Sequence, residues 1–133
     1  FVVCLVVANE QTENLFNAQA FSEMHCAAYF INPSRGNLVD ESALLAVLER
    51  GAIAGAALDV GRAPDQRPSM PLARLSNVIA TPHIGGLTRS AVEHQAFDTV
   101  RQVKALISGE VPDGAVNAEQ AHRLAVFQSQ SRE

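Results

Sequence analysis

Cysteine is scarce in this chain. Cys4 and Cys26 are the only two among 133 residues, and both sit in or beside apolar runs. Their separation fits no zinc motif and implies no disulfide, so both are expected to be small buried residues in a reducing, cytoplasmic compartment. Long hydrophobic runs are missing too. None approaches the roughly 20 residues that span a bilayer, so no membrane partner is expected. The opening Phe1–Val7 run is short and gives way to polar residues, which reads as a strand rather than a leader. Positive charge is in short supply: 10 Lys and Arg face 14 Asp and Glu, for a net charge of −4. Without a basic stripe, nucleic acid is excluded as a partner. No two of His25, His83, His94 and His122 have metal-ligand spacing, so no metal is expected, and three of them read as structural or exposed. Ser34 lacks the strand-turn-helix glycines of a nucleophile elbow, which removes a hydrolase triad. Repeats and low-complexity tracts are absent. The chain also lacks a starting Met and opens in mid-strand, as though its beginning lay elsewhere.

What is present suits one domain with a real core, since 47% of the residues are hydrophobic. Phe1–Val7 is a continuous β-branched run of the kind buried on both faces of a sheet. A polar turn follows, then a short helix over 18–24. Tyr29-Phe-Ile31 begins a second strand, and Pro33 forces Asn32 into extended geometry and bars a helix there. Ser34–Asn37 is a loop. Residues 41–50 form a helix with Asp40 as N-cap, a Leu44, Leu45 and Leu48 stripe, and Gly51 as the stop. Ile53–Val60 is a third strand, whose Gly55, Ala56 and Ala57 predict close packing against a neighbour. Residues 61–71 are a polar loop, and Val78-Ile79-Ala80 is a fourth strand. The longest helix starts after a Thr88 cap, repeats Val92, Ala96, Val100, Val103 and Ile107 at helical spacing, and stops at Gly109. A last helix is expected over 118–127, then a polar, frayed tail.

Strands alternating with helices imply an α/β fold with a parallel sheet and right-handed crossovers. Ligands of such sheets sit at the carboxyl ends of the strands. Three polar clusters fall there: Asn32–Arg35, Asp59 and His83–Gly86. Arg35 can offer a planar fork to a carboxylate, or be a solvated loop arginine. Asp59 can accept from ribose hydroxyls or a carboxamide, or be a turn or cap residue. His83 follows a stiffening Pro82 and precedes two glycines that allow close backbone approach. Its imidazole can give or take a proton near neutral pH, or simply satisfy a backbone carbonyl.

Taken together, three segments resemble the D-isomer-specific 2-hydroxyacid dehydrogenases, a family that includes phosphoglycerate, lactate and formate dehydrogenases and glyoxylate/hydroxypyruvate reductases. They are Ile31-Asn-Pro-Ser-Arg-Gly-Asn-Leu-Val-Asp-Glu41, Gly55-Ala-Ala-Leu-Asp-Val60 and Asn77-Val-Ile-Ala-Thr-Pro-His-Ile-Gly-Gly86. The resemblance, phosphoglycerate dehydrogenase-like, extends from Phe1 to about Phe127. It implies the second half of a Rossmann-like, doubly wound sheet over 1–110, and over 111–133 a connector and closing segment returning to a substrate domain. It also implies a homodimeric parent enzyme that moves hydride between NAD, or NADP, and a 2-hydroxy or 2-keto acid, the hydride chemistry being the cofactor's. Arg35 would bind the substrate carboxylate and polarise the keto group, and His83 would be the general acid/base. Pro33, Ser34, Arg35, Asp59, His83, Gly85 and Gly86 would line the cofactor.

Two departures from the family pattern stand out. A glutamate normally lies five residues after the strand-end aspartate and pairs with the histidine, favouring imidazolium. Here that position is Pro64, and Asp65 is expected to substitute. The Gly-rich turn that cradles a pyrophosphate, with the charged residue about 20 positions on that selects NAD or NADP, is absent as well. An isolated chain of this extent is therefore expected to bind cofactor weakly and turn over little. The other function class is a non-catalytic α/β fragment or interaction module. The exposed edge and faces of Phe1–Val7 would favour association.

Overall fold

The structure, a computed structural model, describes residues 1–116 and 118–120. The chain forms two compact units, Phe1–Gly85 and Gly86–Glu133.

The first unit is a four-stranded parallel sheet. Its strands are β1 (Val2–Val3), β2 (Tyr29–Asn32), β3 (Gly55–Leu58) and β4 (Val78–Ala80), in the spatial order β1-β2-β3-β4. Helices α1 (Ala18–Ser22), α2 (Glu41–Glu49) and α3 (Met70–Ala73) alternate with them, as parallel pairing requires. The register aligns Val2, Phe30, Ala56 and Val78 across the sheet, and Val3, Ile31, Ala57 and Ile79 in the next row. Successive residues point to opposite faces, and the two rows fare differently. Phe30 and Ala56 are buried with Cys4, Leu58 and Asn32, and they join one core with Phe21 of α1, Leu44, Val47 and Leu48 of α2, and Leu72 of α3. Phe21 meets the ring of Phe30 edge-on, with centroids 5.2 Å apart. Burying a side chain of that size contributes about 1.5–3 kcal/mol. The other row leaves Val3 49% and Ile79 71% exposed.

That alternation corrects the expectation for the opening run. Phe1–Val7 is not a strand buried on both faces. Only Val2–Val3 are strand, Cys4 continues the ladder by donating its N–H to Ile31 O at 2.8 Å, and Phe1, Leu5 and Val7 are exposed. A continuous apolar run carries no period that says whether one face or two are covered. Cys4 is buried as expected, but Cys26 is exposed. It lies in a turn before β2 where the His25 ring accepts the Ala27 N–H at 3.0 Å, so its side chain has no core to enter.

Local signals set the helices. Asn17 Oδ1 caps α1 through Ala20 N at 3.1 Å, and Asp40 Oδ1 caps α2 through Ala43 N at 3.0 Å. Gly51, at φ +64, ends α2 in the left-handed conformation that favours glycine. The expected loop over 61–71 closes into α3, which has a proline in its first turn and buries Leu72. The expected strand over 53–60 is shorter, and Gly55 packs so closely that a Cβ would lie 2.5 Å from Asn77 O.

In the second unit, α4 (Arg89–Ile107) is capped by Thr88 Oγ1 on Ala91 N at 3.2 Å, and Gly109 follows it at φ +74. It carries surface pairs, Arg89–Glu93 and Asp98–Arg101, and none of its residues is buried. Residues 118–120 form a 3-10 turn. The rest of the helix expected to 127, His122 and the tail lie outside the described residues. Among the described residues no helix is long and apolar enough to cross a membrane, and no cluster of His, Cys, Asp and Glu could hold a metal.

Candidate functional site

Parallel pairing carries the three polar clusters to one edge of the sheet. Asp59 donates its N–H to Asn32 O at 3.1 Å, and Thr81 donates to Leu58 O at 2.9 Å. The ladder thus runs one residue past β3 and one past β4. Neighbouring strands lie about 4.8 Å apart. Pro33–Arg35, Asp59 and Thr81–Gly85 therefore follow three adjacent strands at their carboxyl ends.

Asp59 organises the loop that carries His83. Its Oδ1 accepts from Thr81 Oγ1 at 2.5 Å and from Ile84 N at 2.9 Å, while Oδ2 accepts from Gly85 N at 2.8 Å. Those bonds bracket His83, whose backbone is left-handed at φ +58 and donates to Thr81 O at 3.0 Å. A non-glycine residue at such φ needs its surroundings to hold it, and Asp59 supplies the hold on both sides. Partial burial opposes ionisation of Asp59. The bonds from Thr81, Ile84 and Gly85 and the charge of His83 outweigh it, keeping the carboxyl below the usual carboxylate range.

A second network fixes Arg35. Asn32 is 1% exposed, and both ends of its amide are used. Nδ2 donates to Arg35 O at 2.9 Å and Oδ1 accepts from Ser34 N at 3.0 Å. Ser34 Oγ donates to Val6 O at 2.8 Å, tying the loop to the chain beyond β1. The Arg35 guanidinium is exposed and, among the described residues, holds only Ser34 O, at 2.7 Å. Behind it a Cβ on Gly36 would lie 2.1 Å from the Gly61 backbone, so the arginine loop rests directly on the 61–68 segment. Arg35 and that segment line a cavity of about 380 Å³ together with Asn37, Arg62, Ala63, Pro64 and Gln66.

The remaining candidates differ in their surroundings. Pro33 and Gly85 are exposed beside these networks, and Gly86 opens the second unit. Asp65 pairs with Arg67, through Oδ2 to Nε at 3.2 Å and Oδ1 to the Arg67 N–H at 3.2 Å. Among the described residues no hydrogen bond or ion pair joins Asp65 to His83. Two supporting residues, Thr81 and Arg62, escaped the sequence reading, and Asn32 entered it as a member of its polar cluster without a role. Asn32 and Thr81 each precede a proline at a strand end, the one local signal that could have marked them. Arg62 gives no signal, because its partners come from Glu13, Asn14, Asn37 and Val39.

At Gly85 only bare backbone fits, because a Cβ would meet Asp59 Oδ2 at 2.8 Å. The N–H groups of Ser34, His83, Ile84 and Gly85 are all taken up within the protein, so what this edge has left for a nicotinamide carboxamide and ribose is the remaining acceptor lone pairs of Asp59 and Ser34. No Gly-x-Gly-x-x-Gly segment occurs in the sequence, so the chain fits the nicotinamide end of the cofactor and offers no such cradle for the pyrophosphate.

A parallel α/β sheet with its polar clusters at the carboxyl ends of adjacent strands defines a nucleotide-binding domain of the dehydrogenase type. Comparison with known proteins narrows the class. The family described as D-isomer specific 2-hydroxyacid dehydrogenase, NAD binding domain, matches residues 1–85, and the chain belongs to this family. It is 38% identical over 120 residues to a glyoxylate/hydroxypyruvate reductase B of Escherichia fergusonii, covering 90% of this chain and 37% of that protein. The fold resembles that of a D-lactate dehydrogenase with NAD+ from Lactobacillus jensenii, with a TM-score of 0.77 and 32% identity over 84% of this chain and 37% of the other. It also resembles an NADPH-dependent glyoxylate/hydroxypyruvate reductase from Sinorhizobium meliloti in complex with NADP and malonate, with a TM-score of 0.72 and 31% identity over 80% of this chain and 33% of the other. The chain thus spans little more than a third of the length of the relatives it matches.

Proposed function

We propose that the natural protein bearing this chain is a cytoplasmic, homodimeric NAD(P)-dependent dehydrogenase that reduces a small 2-keto acid to its D-2-hydroxy acid. Within the phosphoglycerate dehydrogenase-like group, glyoxylate and hydroxypyruvate are the first substrates to test, as the names of the relatives suggest. The observation that carries this reading is that Arg35, Asp59 and His83 follow three neighbouring parallel strands in a chain of this family. Residues 1–110 are assigned to the second half of the cofactor domain, and 111–133 to a connector and closing segment.

In this reading the Arg35 guanidinium, anchored on Ser34 O, turns its remaining N–H groups to the substrate carboxylate and draws electron density from the keto group. His83 gives a proton to the carbonyl oxygen in reduction and takes it back in oxidation. The nicotinamide, when bound, supplies the hydride. Pro33, Ser34, Asp59 and Gly85 line its carboxamide and ribose side. Asp65 would stand in for the family's glutamate beside His83, for which it must release Arg67. The test is an assay of the natural full-length protein with glyoxylate, hydroxypyruvate and pyruvate, each with NADH and NADPH. Keto-acid-dependent oxidation of either nicotinamide is expected. Its absence with every pair would leave the interaction-module reading standing.

A further inference from the structure

One guanidinium in this chain is used far more heavily than any catalytic assignment requires. Arg62 lies three residues past Asp59, with its side chain 36% exposed. Its Nε donates to Val39 O at 2.9 Å, and its Nη2 donates to Asn37 O at 2.9 Å and Asn14 Oδ1 at 2.6 Å. The same Nη2 pairs with Glu13 Oε1 at 2.8 Å, so its two protons are shared among three acceptors. Its own N–H is taken by Glu41 Oε1 at 2.8 Å. The hydrogen bond from Arg62 holds the Glu13 carboxyl below its usual range.

These partners are not scattered. Asn37 and Val39 belong to the 3-10 turn and bridge that directly follow Arg35. Asn14 reaches the same turn, donating its N–H to Asn37 O at 2.9 Å. Both lone pairs of that carbonyl are therefore occupied, one by Asn14 and one by Arg62. On the other side, Gly36 sits against the backbone of Gly61, one residue before Arg62. The segment carrying Arg35 is thus gripped between a glycine contact and a planar fork. A lysine could not reproduce the fork.

We propose that Arg62 is a positioning residue for Arg35: it fixes residues 36–39 and thereby the direction from which Arg35 meets the substrate carboxylate. The proposal rests on the dehydrogenase reading above. Arg62 carries a charge into the same cavity as Arg35, but Glu13 pairs with that charge, so the fork rather than the charge does the positioning.

The experiment measures kcat/KM for glyoxylate and KM for NADH in the natural full-length protein with Arg62→Met, Arg62→Lys and Asn14→Gly, each alone and combined with Arg35→Met. Arg62→Met is expected to lower kcat/KM about tenfold or more, since misplacements near 1 Å carry penalties up to about a hundredfold. KM for NADH should stay within about twofold, and Arg62→Lys should not rescue. In the Arg35→Met background, Arg62→Met should add less than about twofold, because residues acting through one another are not additive. Should Arg62→Met fail to fold, Asn14→Gly serves in its place. Asn14 is at φ +52, where glycine is unstrained, and losing its amide should lower kcat/KM about threefold only while Arg35 is present. Unchanged kcat/KM in the folded variants, full rescue by lysine, or an equal loss without Arg35 overturns the proposal. If Arg35→Met itself leaves kcat/KM unaltered, the role assigned to Arg35 fails instead, which separates the two failures.

Discussion

Replacing Asp59 by Asn tests the geometry of the histidine loop more sharply than replacing His83 itself. The carboxylate receives three donors and gives none: Thr81 Oγ1 and Ile84 N on Oδ1, and Gly85 N on Oδ2. An amide has one oxygen. With that oxygen in the Oδ1 position, its NH2 faces the Gly85 N–H, donor against donor. With the amide turned over, Gly85 is served but Ile84 is opposed. Either way one backbone bond is lost and the rest lose their charge assistance. A hydrogen bond to a charged group is worth about 1.5–3 kcal/mol, which screening at this half-exposed site reduces to about 1–2 kcal/mol. At 1.4 kcal/mol per decade that multiplies the fraction of loops with His83 out of place by about five to thirty.

The assay is kcat for keto-acid reduction by the full-length protein across pH. Asp59→Asn should lower kcat about tenfold at neutral pH. The carboxyl of Asp59 is depressed in the folded chain. Its contribution is therefore complete above the unfolded value near 3.9 and is lost as pH falls through the lower, folded value. The stability gap between wild type and variant should be flat through neutrality and close in strong acid. A variant with wild-type kcat, or a gap that widens on acidification, would refute the account of Asp59 as the clamp.

Three further outcomes follow from the same contacts. Gly36→Ala puts a Cβ 2.1 Å from Gly61, which forces two backbones more than about 1 Å apart, so kcat/KM for the keto acid should fall by up to about a hundredfold, read by steady-state kinetics. Asp65→Asn removes a carboxylate proposed to support protonated His83, so the limb of the pH–rate profile at which reduction is lost should move to lower pH; an unmoved limb with an unchanged rate takes Asp65 out of the site. Burial pushes the Cys4 thiol up, offset in part by a hydrogen bond with the Val6 backbone, whereas Cys26 is exposed. Peptide mapping after brief maleimide treatment of native protein should find Cys26 labelled and Cys4 intact, and both labelled in denaturant.

The fold was legible wherever a signal was local. Asp40, Thr88 and Gly51 are cap and stop residues whose effect depends on neighbours within a turn, and they act where the spacing says they should. Alternation of strand and helix sufficed for the parallel sheet. The exposed half of Phe1–Val7 was not legible, because seven consecutive apolar residues carry no period. Helix α3 was hidden because it has four residues, Met70–Ala73, and the second is a proline that reads equally as loop. The placement of Arg35, Asp59 and His83 at strand ends could be read because strand ends are set by the nearby Pro33, Gly61 and Pro82.

What sequence could not convey is the direction of dependence within the site. Read residue by residue, Asp59 is a candidate ligand for a cofactor or else a turn or cap residue, and Arg62 is one residue of a polar loop. In the structure both face inward on the protein. Asp59 spends its two oxygens on the loop that holds His83 in a left-handed conformation, and Arg62 spends its fork on the turn behind Arg35. The two residues that would touch substrate each make few bonds of their own: Arg35 holds one carbonyl through its guanidinium, and His83 holds one through its backbone. A side chain that must meet a ligand cannot also be saturated by the protein, so its orientation has to come from neighbours that are. The partners that saturate Arg62 lie 21 to 49 residues away in sequence, and those of Asp59 lie 22 to 26 away. Such pairings exist only once the sheet has set its register. For this site, then, changes at Asp59 and Arg62 should alter substrate kinetics nearly as much as changes at Arg35 and His83.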